Sequence, residues 1–186
     1  MVSFSEYEHN ELHNKTVTYG GYGIALKKSW AVRNGLTPVN YIEKNSASCI
    51  RSYCFCYDPA SLVRCRKAYA YLFIQLKCFT KHVYGYNSHF KEDDFFFKYE
   101  NEWRFVPTIQ QIGGGRISVD YSKYKKRESL YNNRVASYPL KFLRENVKYI
   151  YVQSAFERQE IIDRFGFSER QVVISTWKQS IKSKNF

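Results

Sequence analysis

VKYIYVQSAFERQEIIDRFGFSERQVVI, residues 147–174, is the stretch whose reading decides the fold class. Val147–Val152 reads as a strand. Ser154 is followed three residues later by Glu157, the spacing of a capping box, which opens a helix. The helix is expected over Ala155–Phe165, with Phe156, Ile161, Ile162 and Phe165 apolar and Gly166 ending it. Val172–Ile174 is the next strand. Strand, capped helix and strand in direct succession mark a chain that mixes both element types.

Toward the N-terminus the pattern is less regular. Val2–Ser5 alternates like a short strand, and Asn10–Thr18 is polar, irregular or a single helical turn. Tyr19-Gly20-Gly21-Tyr22-Gly23 leads into Ile24-Ala25-Leu26, expected as a short buried strand. Lys27–Asn34 reads as a helix carrying Trp30 and Val32, with Gly35 at its C-terminal cap. Pro38–Ile42 is the following strand. Pro59 starts a long helix expected over Ala60–Val83, because Leu62, Val63, Ala68, Tyr69, Leu72, Phe73, Leu76 and Phe79 follow a 3.6-residue period. Phe95–Tyr99 and Trp103–Val106 look like strands, and Gly113–Gly115 interrupts. Asp120–Arg134 is expected as a basic loop. The whole reads as α+β: a single domain over residues 1–186, with a mixed or antiparallel sheet and flanking helices.

Composition narrows the class. Of 186 residues, 44% are hydrophobic and 25% charged, which excludes a disordered chain. The apolar run Ala68–Leu76 is far short of the roughly 20 residues that a membrane helix needs. Met1–Glu11 passes from a strand-like piece straight into acids, without a leader, so the expectation is a soluble, cytoplasmic protein with no membrane partner. The five cysteines include a C-x-C at Cys54 and Cys56 rather than C-x-x-C, and read as buried thiols of a reducing compartment. His9 and His13 stand at i,i+4 with no second ligand pair, so no metal is assigned.

Charge is unevenly spread. Residues 1–100 hold 13 bases and 9 acids, and residues 101–186 hold 16 bases and 8 acids. Lys123, Lys125, Lys126 and Arg127 are interleaved with Tyr121, Tyr124 and Tyr131. Bases alternating with rings suit DNA, RNA or phosphate binding, and equally a solvated loop.

Two further segments carry chemistry. In Glu100-Asn101-Glu102-Trp103-Arg104 the two carboxylates at i,i+2 share a side of a strand edge. Such a pair supports acid–base or oxocarbenium-stabilising catalysis; alternatively Glu102 pairs Arg104 and holds a strand end. Tyr19–Ile24 lets the backbone approach a ligand between two rings, or is a strand-entry turn. It is neither GxGxxG nor a P-loop.

Four strings in order, Val2-Ser3-Phe4-Ser5, Tyr19-Gly20-x-Tyr22-Gly23-Ile24-Ala25-Leu26-Lys27-Lys28-x-Trp30, Asn34-Gly35-Leu36-x-Pro38-Val39-x-Tyr41-Ile42 and Glu102-Trp103-Arg104-Phe105-Val106-Pro107, resemble the AbiGi family over about residues 1–185. The resemblance implies a part in bacterial abortive-infection phage resistance. It implies an antitoxin role in a two-gene arrangement, with a cognate toxin or antitoxin from a neighbouring gene as partner. The Glu100-x-Glu102 pair is also similar, more distantly, to the acidic signature of DarT-type ADP-ribosyltransferase folds. That likeness implies an ADP-ribosyltransferase-like fold with NAD as cofactor. Glu102 would be the catalytic acid, Glu100 its orienting partner, and Tyr19 or Tyr22 the ring stacked on nicotinamide. Those folds carry a His or Arg for the NAD ribose on an N-terminal strand that has no counterpart here.

Overall fold

The computed structural model describes residues 1–14, 16–17, 20–46, 74–114 and 119–179. Its architecture is mixed α+β, built from small sheets rather than one large one. The expected 147–174 unit is present. β10 (Val147–Val152) and β11 (Val172–Ile174) pair in parallel, and the helix Ala155–Phe165 connects them. Ser154 Oγ accepts from the Glu157 N–H, while the Glu157 carboxylate accepts from the Ser154 N–H, completing the capping box. Gly166 ends the helix in the left-handed region at φ +64°.

β3 (Gly23–Leu26) lies antiparallel on the other side of β10, with Ile24 opposite Ile150. The order β11-β10-β3 buries Val147, Tyr151, Val152 and Val172, which form one part of the core. A second sheet has the order β1-β9-β4, with β1 (Val2–Ser5) and β4 (Thr37–Pro38) flanking β9 (Glu102–Phe105). Both pairings are antiparallel. Between the sheets sits the helix α1 (Lys28–Arg33), whose Trp30 is buried against Phe4 and Phe142. Among the described residues, three two-stranded pairs accompany these sheets. β2 (Thr16–Val17) runs parallel to β12 (Lys178–Gln179), and β5 (Asn40–Ile42) parallel to β6 (Thr80–His82). β7 (Tyr84–Asn87) and β8 (Glu92–Phe96) form an antiparallel hairpin.

Several expectations are corrected. Residues 74–78 are helical, but the helix expected to run to Val83 stops there, because residues 80–82 form β6 beside β5. Most of that expected helix lies outside the described residues. Pro38–Ile42 is two strands: β4 and β5 pair with different neighbours across a break at the buried Val39. The expected strand Phe95–Tyr99 leaves β8 after Phe96 and turns into a single 3-10 turn over Phe97–Glu100. Asp120–Arg134 is helical, not a loop: α2 spans Tyr121–Lys126 and α3 spans Glu128–Ala136. The Asp120 carboxylate caps α2 by accepting from the N–H of Ser122 and Lys123. The 155–165 helix is therefore α4. Its Phe156 and Phe165 are exposed, and so is Ile24 of β3, expected in a buried strand. Cys78 is a free, half-buried thiol; the other four cysteines lie outside the described residues.

Candidate functional site

β9 alternates in burial, and the alternation sorts its side chains onto two faces. Glu102 and Arg104 are buried on one face, while Trp103 turns to the other. Arg104 grips Glu102 as a fork: Nε donates to Oε1 at 2.8 Å and Nη2 to Oε2 at 2.9 Å. Lys81, on β6, donates to Glu100 Oε2 at 2.6 Å and to Glu102 Oε2 at 3.2 Å. Its ammonium also lies 4.2 Å from the centre of the Phe97 ring. Arg104 donates once more, to the Cys78 carbonyl, and the Tyr41 hydroxyl accepts from the Glu102 N–H. Two acids and two bases thus close on each other with formal charges balanced.

Burial alone pushes the Glu102 carboxyl up. Hydrogen bonds from Arg104 and Ser3 and the charges of Lys81 and Arg104 outweigh it, and the group falls to about 2. Glu100 approaches Lys81 from a different element, because Asn101 between the two acids takes a left-handed φ of 42°. The two acids, read as neighbours on a strand edge, meet instead through a lysine that sequence reasoning missed. Lys81 is 19 and 21 positions from its partners and sits in the segment assigned to the long helix, so no local pattern points to it.

The opposite face of β9 borders an aromatic cleft of about 430 Å³. Trp103, Trp30, Tyr22, Tyr149, Tyr151 and Trp177 line it, with Lys28 and Lys148 also in the wall. His9 stacks on Tyr149 with ring centres 4.8 Å apart, and its Nδ1 is 3.0 Å from the Tyr151 hydroxyl. Burial, with Tyr149 adding to it, pushes the Tyr151 phenol up to about 12. The backbone Gly20–Gly21 is fastened here by Trp177 Nε1 donating to the Gly20 carbonyl and Ser175 Oγ to that of Gly21. Tyr22 is exposed, and its hydroxyl donates to Glu157 at 2.7 Å. That bond holds Glu157 below the usual carboxylate range.

The expected site residues are therefore dispersed. Glu100 and Glu102 belong to the buried cluster, and Tyr22 to the aromatic cleft. Tyr19 lies outside the described residues. Tyr22 lines the aromatic cleft, whose wall does not include Glu102. An NAD site built on this pair would need the two to face a common space. Lys123, Lys125, Lys126 and Arg127 come together on α2 and the joint to α3, fully on the surface.

No helix among the described residues is long and apolar enough to cross a membrane. No curated protein and no solved structure matches the chain. A family model described as "Putative abortive phage resistance protein AbiGi, antitoxin" matches residues 1–153. The match ends just after β10, short of the 1–185 expected from the sequence, and takes in both faces of β9, the basic helices and the aromatic wall except Trp177. On that match, spanning most of its length, the chain belongs to the AbiGi family.

Proposed function

We propose that this chain is the antitoxin of an abortive-infection toxin–antitoxin pair, acting in the cytoplasm by binding a toxin encoded by a neighbouring gene. The family match over residues 1–153 carries the reading. The buried cluster is consistent with it: Lys81, Glu100, Glu102 and Arg104 satisfy one another, as in a scaffold that presents a fixed surface to a partner. The test is expression in pairs. Cells expressing this chain alone should grow normally, and co-expression should rescue cells from the neighbouring gene's product. Growth arrest by this chain alone, relieved by the neighbour, reverses the assignment.

The other reading, an NAD-dependent transferase of ADP-ribosyltransferase-like fold, would place Glu102 against a bound nicotinamide ribose. Both Glu102 oxygens are instead held by Arg104 and Lys81. Titration of the protein with NAD by calorimetry tests it, and measurable heat of binding that Tyr22→Ala removes would revive it.

A further inference from the structure

α2 and α3 bury no residue at all. A helix pair that contributes nothing to a core is held by its own local contacts. The Tyr124 hydroxyl lies 3.1 Å from Glu128 Oε1 and 3.3 Å from Asn132 Oδ1, and the Tyr124 and Tyr131 rings meet at 6.2 Å. Outward the pair presents Lys123, Lys125, Lys126, Arg127 and Arg134 against the capping Asp120 and one further acid, Glu128. That acid is engaged by Lys125 at 3.3 Å, which leaves the other bases in excess. Beside them the Tyr121 ring is 71% exposed.

We propose that this surface binds single-stranded nucleic acid. Lys123, Lys126, Arg127 and Arg134 contact phosphates, and the Tyr121 ring stacks on an unpaired base. Charge complementarity points to a polyanion. The exposed ring selects the single strand, because bases stacked within a duplex offer no free face to it. The short α2, six residues long, supplies no recognition helix of the length that enters a major groove. The inference is independent of the antitoxin reading and stands or falls on its own measurement.

The experiment is fluorescence anisotropy with labelled single-stranded DNA and RNA, and with the matching duplex, over a series of salt concentrations. The full chain should prefer the single strand. Replacing Lys123, Lys125, Lys126 and Arg127 together by Ala should flatten the log–log salt slope by about 2–3 units, since each phosphate contact on a single strand releases about 0.7 of a counterion. Tyr121→Ala should weaken single-strand binding about tenfold and leave the slope intact. Melting curves should match the parent protein. Gln at the same four positions, which keeps the aliphatic length, repeats the measurement if the Ala variant melts lower. An unchanged slope, a duplex bound as tightly as the single strand, or indifference to Tyr121→Ala overturns the proposal. So does a four-site variant that still binds oligonucleotide but no longer captures the toxin, because the surface then belongs to a protein.

Discussion

Arg104 holds both carboxylate oxygens of Glu102 from two positions along the same strand, at 2.8 and 2.9 Å, in a place where both side chains are at least nine-tenths buried. Desolvating two charges is costly, and a buried pair of this kind is no proof of added stability. Its rupture is a different matter, because the remaining charge stays buried. Glu102→Gln should cost about 3–5 kcal/mol and lower the melting temperature by about 6–20 °C. Calorimetric melting of the variant measures it. A loss below about 1 kcal/mol would mean that the pair is open to water.

The same carboxylate makes stability depend on acid. Glu102 sits at about 2 when folded, against 4.5 for the free side chain. A depressed carboxyl contributes stability that is complete above about 4.5 and is lost as pH falls toward 2. The difference corresponds to about 3 kcal/mol. Denaturant midpoints between neutral pH and about pH 2 should therefore fall more steeply for the parent protein than for Glu102→Gln. Parallel curves would refute the linkage.

At the alkaline end Tyr151 plays the corresponding part. Its phenol is pushed up to about 12 from 10 by burial. The group leaves stability untouched below pH 10, and stability declines as pH climbs from 10 toward 12. Tyr151→Phe should soften that alkaline decline, read by circular dichroism at fixed denaturant. An identical alkaline limb in the variant would place the ring in water.

Gly166 caps α4 at φ +64°, and a methyl group there would also come within 3.1 Å of the Arg144 guanidinium. Arg144 is long and can swing aside, so backbone strain dominates. Gly166→Ala should cost about 1–2 kcal/mol, and Gly166→Asn less, since Asn tolerates the left-handed region. Equal melting of Ala and Asn variants would contradict this.

The end of the same helix that carries Ser154 offers a complementary measurement. Ser154→Ala should cost about 1 kcal/mol through loss of the cap. Hydrogen exchange should show the loss confined first to the amides at the start of α4, near Glu157.

What the sequence revealed and what it hid follow from how local the cause is. The unit from Val147 to Ile174 was legible because a capping box and a left-handed glycine act within a few residues. The Glu102–Arg104 pairing was legible for the same reason, since i and i+2 share a strand face. Lys81 was not, because its role depends on β6 lying beside β5, and an apolar 3.6-residue period running through Phe79 extended the helix over it. Asp120–Arg134 reads as a loop because its helices have no apolar stripe, the signal on which helix recognition rests. Ile24 misled in the opposite direction: an apolar triplet after the glycines marks a strand, but not what covers it.

The pairing of β3 with β10 has a consequence in time as well as in space. Gly21, just ahead of β3, accepts a hydrogen bond from Ser175, 154 residues further on. A ribosome adding 5–20 residues per second needs about 8–30 s to make that interval. Through it, the glycine-rich segment and β3 have been synthesised but lack the strand and side chains that fasten them. Closure of this part of the protein is thus a late event of synthesis.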